Sequence, residues 1–232
     1  MRTSIRISCL EFLYEKNKLA SEKLGIGFEE TGDMVFNHLL DKVELELHPS
    51  HGKGAPKGCP HIMVGDIAVV YHCVIKRTGR EDGEEIFHVG ITDEIMEKAG
   101  VTKDELHEAA LKNTQERHPE VLTKLKNGAY VVTAPGALSP AVAALYPGVL
   151  KTLAARMGGS LHIIALDEEY ALVVQEDVVP IRQAAEALVK TAELTEIFSR
   201  VVFRYDRYKE KLDVVSEIIH KDDIPGIGKF MH

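Results

Sequence analysis

The chain has 232 residues, 45% apolar and 28% charged, with 28 Lys and Arg against 36 Asp and Glu and a formal net charge of −8. That balance suits a globular protein and excludes disordered, collagen-like and membrane-spanning classes, while its sign argues against a general binder of phosphate backbones. Three scattered cysteines, Cys9, Cys59 and Cys73, make no disulfide framework, and no apolar run reaches signal-peptide or spanning length, so the chain reads as cytoplasmic.

In chain order, Ile7, Leu10, Phe12, Leu13, Leu19 and Leu24 predict an amphipathic helix over 4–24, stopped by Gly25-Ile26-Gly27. Val35, Leu39, Leu40, Val43 and Leu47 predict a second helix over 33–47, giving a helical N-terminal segment over 1–50. Glycines and prolines crowd the stretch from His48 to Pro60, with 51–61 read as a loop. The β-branched run Ile67 to Ile75 predicts a buried strand, and Glu85 to Ile91 its antiparallel partner across a charged turn. Thr92 and Thr102 stand as helix N-caps, and Thr102 with Glu105 has capping-box spacing; helices follow to about Lys98 and Glu116.

Pro119 is placed as the first residue of a short helix, and Ala129 to Ala134 as a strand. Ser139-Pro140 opens a helix expected to run to Met157 with a kink at Pro147. Leu161 to Leu166 and Tyr170 to Gln175 form a hairpin across Asp167-Glu168-Glu169, Pro180 opens a helix to about Phe198, and Val201 to Phe203 adds a short strand. The reading is α+β: a mixed, largely antiparallel sheet with helices packed on it, in a core over 62–210. A C-terminal helix and flexible tail are expected over 211–232.

The order of several short pieces resembles a bacterial family of domains of unknown function found in anaerobic gut bacteria. The pieces are Pro60-His61, Asp66 to Tyr71, Ile91-Thr92, Leu106-His107 with Asn113, Tyr130 to Thr133, Tyr146 to Leu150, Gly158-Gly159 and Phe203 to Asp206. They span about residues 59–206. The family carries a Pro-Ser-Ser-x-His-Glu run where this chain reads Ala165 to Tyr170, without the His-Glu pair. The resemblance implies a fold and brings no activity with it.

Candidate chemistry is sparse. His48, His51, Cys59 and His61 offer two short-spaced donor pairs for zinc, which takes three or four N or S ligands, although neither spacing is that of a defined finger. The bland alternative is a solvated polar loop. His72 and Cys73 are neighbours on a strand, so they face opposite sides of the sheet and read as core residues. His61 and Asp66 are candidates for an acid–base pair at the strand start, and Arg204 with Asp206 for a structural ion pair on one strand face.

No dinucleotide fingerprint, phosphate loop or hydrolase nucleophile elbow occurs. Ile224 to Lys229 matches a DNA-binding hairpin, but only three residues remain for the helix that must follow it. The expectation is therefore a binding or regulatory module that recognises another protein, without nucleic acid, membrane or cofactor. The alternative is a small metal-assisted hydrolase with zinc in the 48–61 loop.

Overall fold

A computed structural model describes residues 38–50, 57–78, 84–165, 168–179 and 199–216, besides Lys18. The described residues lie in two compact units, one within Met1–Met63 and Ala68–Arg117, the other within Val64–Ile67 and His118–His232. The expected helix over 4–24, Lys18 apart, and the one over 180–198 lie outside the described residues, as does the end of the chain from 217.

The first sheet is built on a long central strand. A single helical turn, α1 (Leu39–Lys42), leads into β1 (Val43–Pro49), followed by β2 (Ile62–Val64), β3 (Ile67–Thr78) and β4 (Glu84–Gly90). β1 and β2 flank β3, and β4 pairs antiparallel with its far half, with His72 opposite Gly90 and Val74 opposite His88. The expected strand and its partner are thus found. The expected second helix is not: only Leu39–Lys42 is helical, and Val43, Leu45 and Leu47 alternate along a strand. Val43, Leu45 and Leu47 have strand spacing, and the residues between them, Glu44 and Glu46, are themselves buried.

Two helices follow. α2 (Asp93–Ala99) is capped by Thr92, whose Oγ1 accepts from the Ile95 N–H at 3.3 Å. α3 (Lys103–Arg117) opens on the expected capping box: Thr102 N–H donates to Glu105 Oε2 at 2.9 Å and Glu105 N–H to Thr102 Oγ1 at 3.3 Å. Leu106, Ala110 and Thr114, four residues apart, form its buried stripe. Thr114 Oγ1 accepts the Leu45 N–H at 2.9 Å, and Asn113 Nδ2 donates to the carbonyls of Leu40 and Val43, so the helix fastens α1 and β1.

The second unit carries a six-stranded sheet in the order β10-β9-β7-β8-β6-β5. Its strands are β5 (Val121–Lys124), β6 (Tyr130–Thr133), β7 (Leu161–Ala165), β8 (Ala171–Gln175), β9 (Val202–Asp206) and β10 (Lys211–Ser216), all paired antiparallel. Three expectations are corrected here. Pro119 opens no helix, because β5 pairs with β6 directly after it. Pro140–Leu145 is a 3-10 helix, and the chain breaks at Tyr146 to Gly148, Gly148 lying at φ +82°, before α4 (Val149–Met157) begins. Residues 211–216 are strand rather than C-terminal helix. α4 buries Val149, Leu150, Leu153 and Ala154, a helical stripe, and ends at Gly158 in the left-handed region.

Candidate functional site

β1 and β3 bring the densest group of ionisable side chains together. Val43, Leu45 and Leu47 take one face of β1, so Glu44 and Glu46 take the other, where they meet His72 of β3. His72 is fully buried, and Glu44 and Glu46 are 3% and 8% exposed. His72 Nε2 lies 3.7 Å from Glu44 Oε2, and Nδ1 lies 3.9 Å from Glu46 Oε2. Both distances exceed a hydrogen bond, and neither ring nitrogen has a hydrogen-bond partner among the described residues. Gly90 opposite His72 adds no side chain, and the His88 ring meets the His72 ring edge to face, centroids 5.0 Å apart. Glu44 Oε1 accepts from Arg117 Nη1 at 2.8 Å, a buried carboxylate paired with a cation of α3.

The carboxylates flank His72 on opposite ring nitrogens, so they do not converge on one point with it. No group of three or more His, Cys, Asp or Glu suited to a metal occurs among the described residues. The arrangement holds a buried imidazole between two carboxyl groups, one of which accepts a hydrogen bond from Arg117. Sequence reasoning placed His72 correctly as a buried strand residue and missed both glutamates.

The other face of β3 carries Tyr71 and Cys73, also fully buried. Burial raises the Cys73 thiol to about 12, with Lys42 and Arg117 pulling against it and Glu44 adding to it. Little thiolate exists near neutrality, so Cys73 is a poor nucleophile. The Tyr71 hydroxyl and His107 Nδ1 of α3 lie 3.1 Å apart. Burial also raises the Tyr71 phenol and lowers the His107 imidazole, which favours the neutral forms of both.

The residues of the proposed zinc loop are only partly placed. His48 lies near the end of β1, half-buried, and His51 lies outside the described residues. Cys59 is 2% exposed and packs with Ala68 and Val70, so it is a core residue rather than part of a solvated loop. His61 Nδ1 is 3.0 Å from the Cys59 carbonyl. The acid–base candidates are engaged separately. Asp66 Oδ1 accepts from Ser199 Oγ at 2.6 Å and its Oδ2 from the Arg200 N–H at 2.7 Å, the pattern of a carboxylate that secures a chain segment.

In the second unit the expected ion pair is present: Arg204 Nη1 donates to Asp206 Oδ2 at 2.9 Å. It belongs to a larger network. Arg204 Nε donates to both oxygens of Glu176 at 2.8 and 2.9 Å, and Glu176 Oε1 is 3.9 Å from Nε2 of the buried His162. Asp206 Oδ1 accepts from the N–H groups of Tyr208 and Lys209. The Arg204 hydrogen bond holds the Glu176 carboxyl below its ordinary range, while the Lys209 N–H and then Arg204 do so for Asp206. This network ties the ends of β7, β8 and β9 together.

A cavity of about 270 Å³ opens in the same unit, walled by the β5–β6 hairpin, the end of α4 and the end of β8. No helix among the described residues is long and apolar enough to cross a membrane.

Residues 48–128 match a family of unknown function (DUF5688). The match begins before the resemblance read from the sequence and stops short of Asp206, where that resemblance ends. It takes in His48, His51, Cys59, His61 and His72 but neither Glu44 nor Glu46. No curated protein and no solved structure matches the chain.

Proposed function

We propose that the chain is a non-enzymatic binding module that recognises another protein along the β10 edge of its second sheet. The observation that carries this reading is Tyr208, a side chain 90% exposed in the turn between β9 and β10. Large aromatic rings contribute heavily to contact energy once a partner covers them. Val214 and Val215 are also exposed on β10, and the strand has no outer neighbour among the described residues. An extended segment of a partner can add to such an edge through main-chain hydrogen bonds, while the aromatic and the valines select its side chains. The engagement of Asp66 with Ser199 and Arg200, and of Arg204 with Glu176 and Asp206, supports the same reading, because these polar groups hold the fold.

The test compares the full chain with a Tyr208→Ala/Val215→Lys variant of unchanged circular dichroism, each immobilised against native lysate. A partner retained by the first and lost by the second is expected; equal retention, or none, overturns the proposal. The alternative is a small metal-assisted hydrolase that holds zinc on His48, His51, Cys59 and His61. Elemental analysis of the purified protein separates the two: stoichiometric zinc, released by Cys59→Ser, would favour the hydrolase.

A further inference from the structure

We infer that the cavity of the second unit binds a small organic anion with an apolar body. Its volume of about 270 Å³ lies just below the roughly 300–1,000 Å³ of small-molecule sites, so the ligand is compact. The wall divides by chemistry. Ala129 and Val174 are buried apolar groups and Val178, 64% exposed, extends the apolar surface outward. Lys124 of β5 and Arg156 in the last turn of α4 also line the cavity, and Gln175 adds an amide that can donate or accept.

The two cations set the sign of the ligand. Some cations of this chain are taken up by carboxylates, Arg204 by Glu176 and Asp206, Lys151 by Glu210 and Lys211 by Asp213, and cannot serve a ligand. Lys124 and Arg156 have no carboxylate partner among the described residues. Asp177, whose carboxylate approaches Gly159, is not part of the cavity wall. A cation at a helix C-terminus is favoured by the helix dipole, which accounts for Arg156 alone. Lys124 comes to the same cavity from a strand, so two cations without carboxylate partners among the described residues line one wall.

An anionic head between Lys124 and Arg156, with an apolar body against Ala129 and Val174, would satisfy both halves of the wall. This inference is independent of partner recognition at β10, which uses other residues.

Isothermal titration of the full chain with hexanoate, 1-hexanol and inorganic phosphate tests it. Hexanoate is expected to bind saturably and more tightly than either of the others, because each of them lacks one half of the match. The Lys124→Ala/Arg156→Ala variant, whose changes fall on exposed side chains, should unfold at the same temperature and bind hexanoate at least about tenfold more weakly. The inference is overturned if hexanoate does not bind saturably, if hexanol or phosphate binds as tightly, or if the double variant binds hexanoate unchanged.

Discussion

At the scale of single residues, burial decides which side chains are available for chemistry. Cys59 illustrates the point. Its place between glycines and prolines suggests a solvated thiol, whereas it packs against Ala68 and Val70. Cys59→Ser is therefore expected to destabilise the protein by about 1–3 kcal/mol, because it puts a more polar, smaller group into the buried contact with Ala68 and Val70. A shift of the urea midpoint at unchanged slope measures this; a midpoint within error of the wild type would refute it. His72 could be read in advance as a buried strand residue because β-branched neighbours surround it on both sides. Glu44 and Glu46 could not, since alternating charges ordinarily mark the wet face of a strand. The buried Glu44 carboxylate is paired with Arg117, 73 positions away in sequence, a partner that no local pattern announces.

Among elements, local chemistry was legible wherever a short-range contact fixes the backbone. The Thr92 cap, the Thr102–Glu105 box and the β3–β4 and β7–β8 hairpins all rest on residues close in sequence. The failures lie where distant pairing overrides a local preference: Val43–Pro49 pairs with β3 instead of continuing a helix, and β5 pairs with β6 where Pro119 suited a helix start. The acidic turn at Glu168 and Glu169 contributes through its carbonyls, which accept from the Ala141 N–H and the Thr133 hydroxyl, and that role has no sequence signature. Gly65 makes a sharper case. It sits at φ +60°, and an added Cβ would lie 2.7 Å from the Phe203 ring and 3.0 Å from a Val201 methyl. Gly65→Ala should cost at least about 2 kcal/mol, combining the left-handed backbone penalty with overpacking. Denaturant titration checks it, and a variant as stable as the wild type would show that the turn relaxes freely.

Across the whole molecule, acid is the condition that its ion pairs resist least. Glu176 and Asp206 are held below their ordinary 4.5 and 3.8 by Arg204 and backbone donors. Groups with depressed folded values contribute stability that is complete above the unfolded values and is lost as pH falls through the depressed ones. Stability should therefore decline between about pH 5 and pH 2, and Arg204→Met should be less stable at neutrality yet lose less across that window. Urea midpoints measured through the range test this; parallel curves for the two proteins would remove the network from the account. One further consequence follows from β3, whose two faces carry unlike interiors. Tyr71 and Cys73 occupy one side, and His72 occupies the other against Glu44 and Glu46. In a strand with two greasy faces, a one-residue slip costs little selectivity. Here it would take the phenol from its His107 partner and the imidazole from between its carboxylates, so β3 proofreads its own alignment as the chain folds.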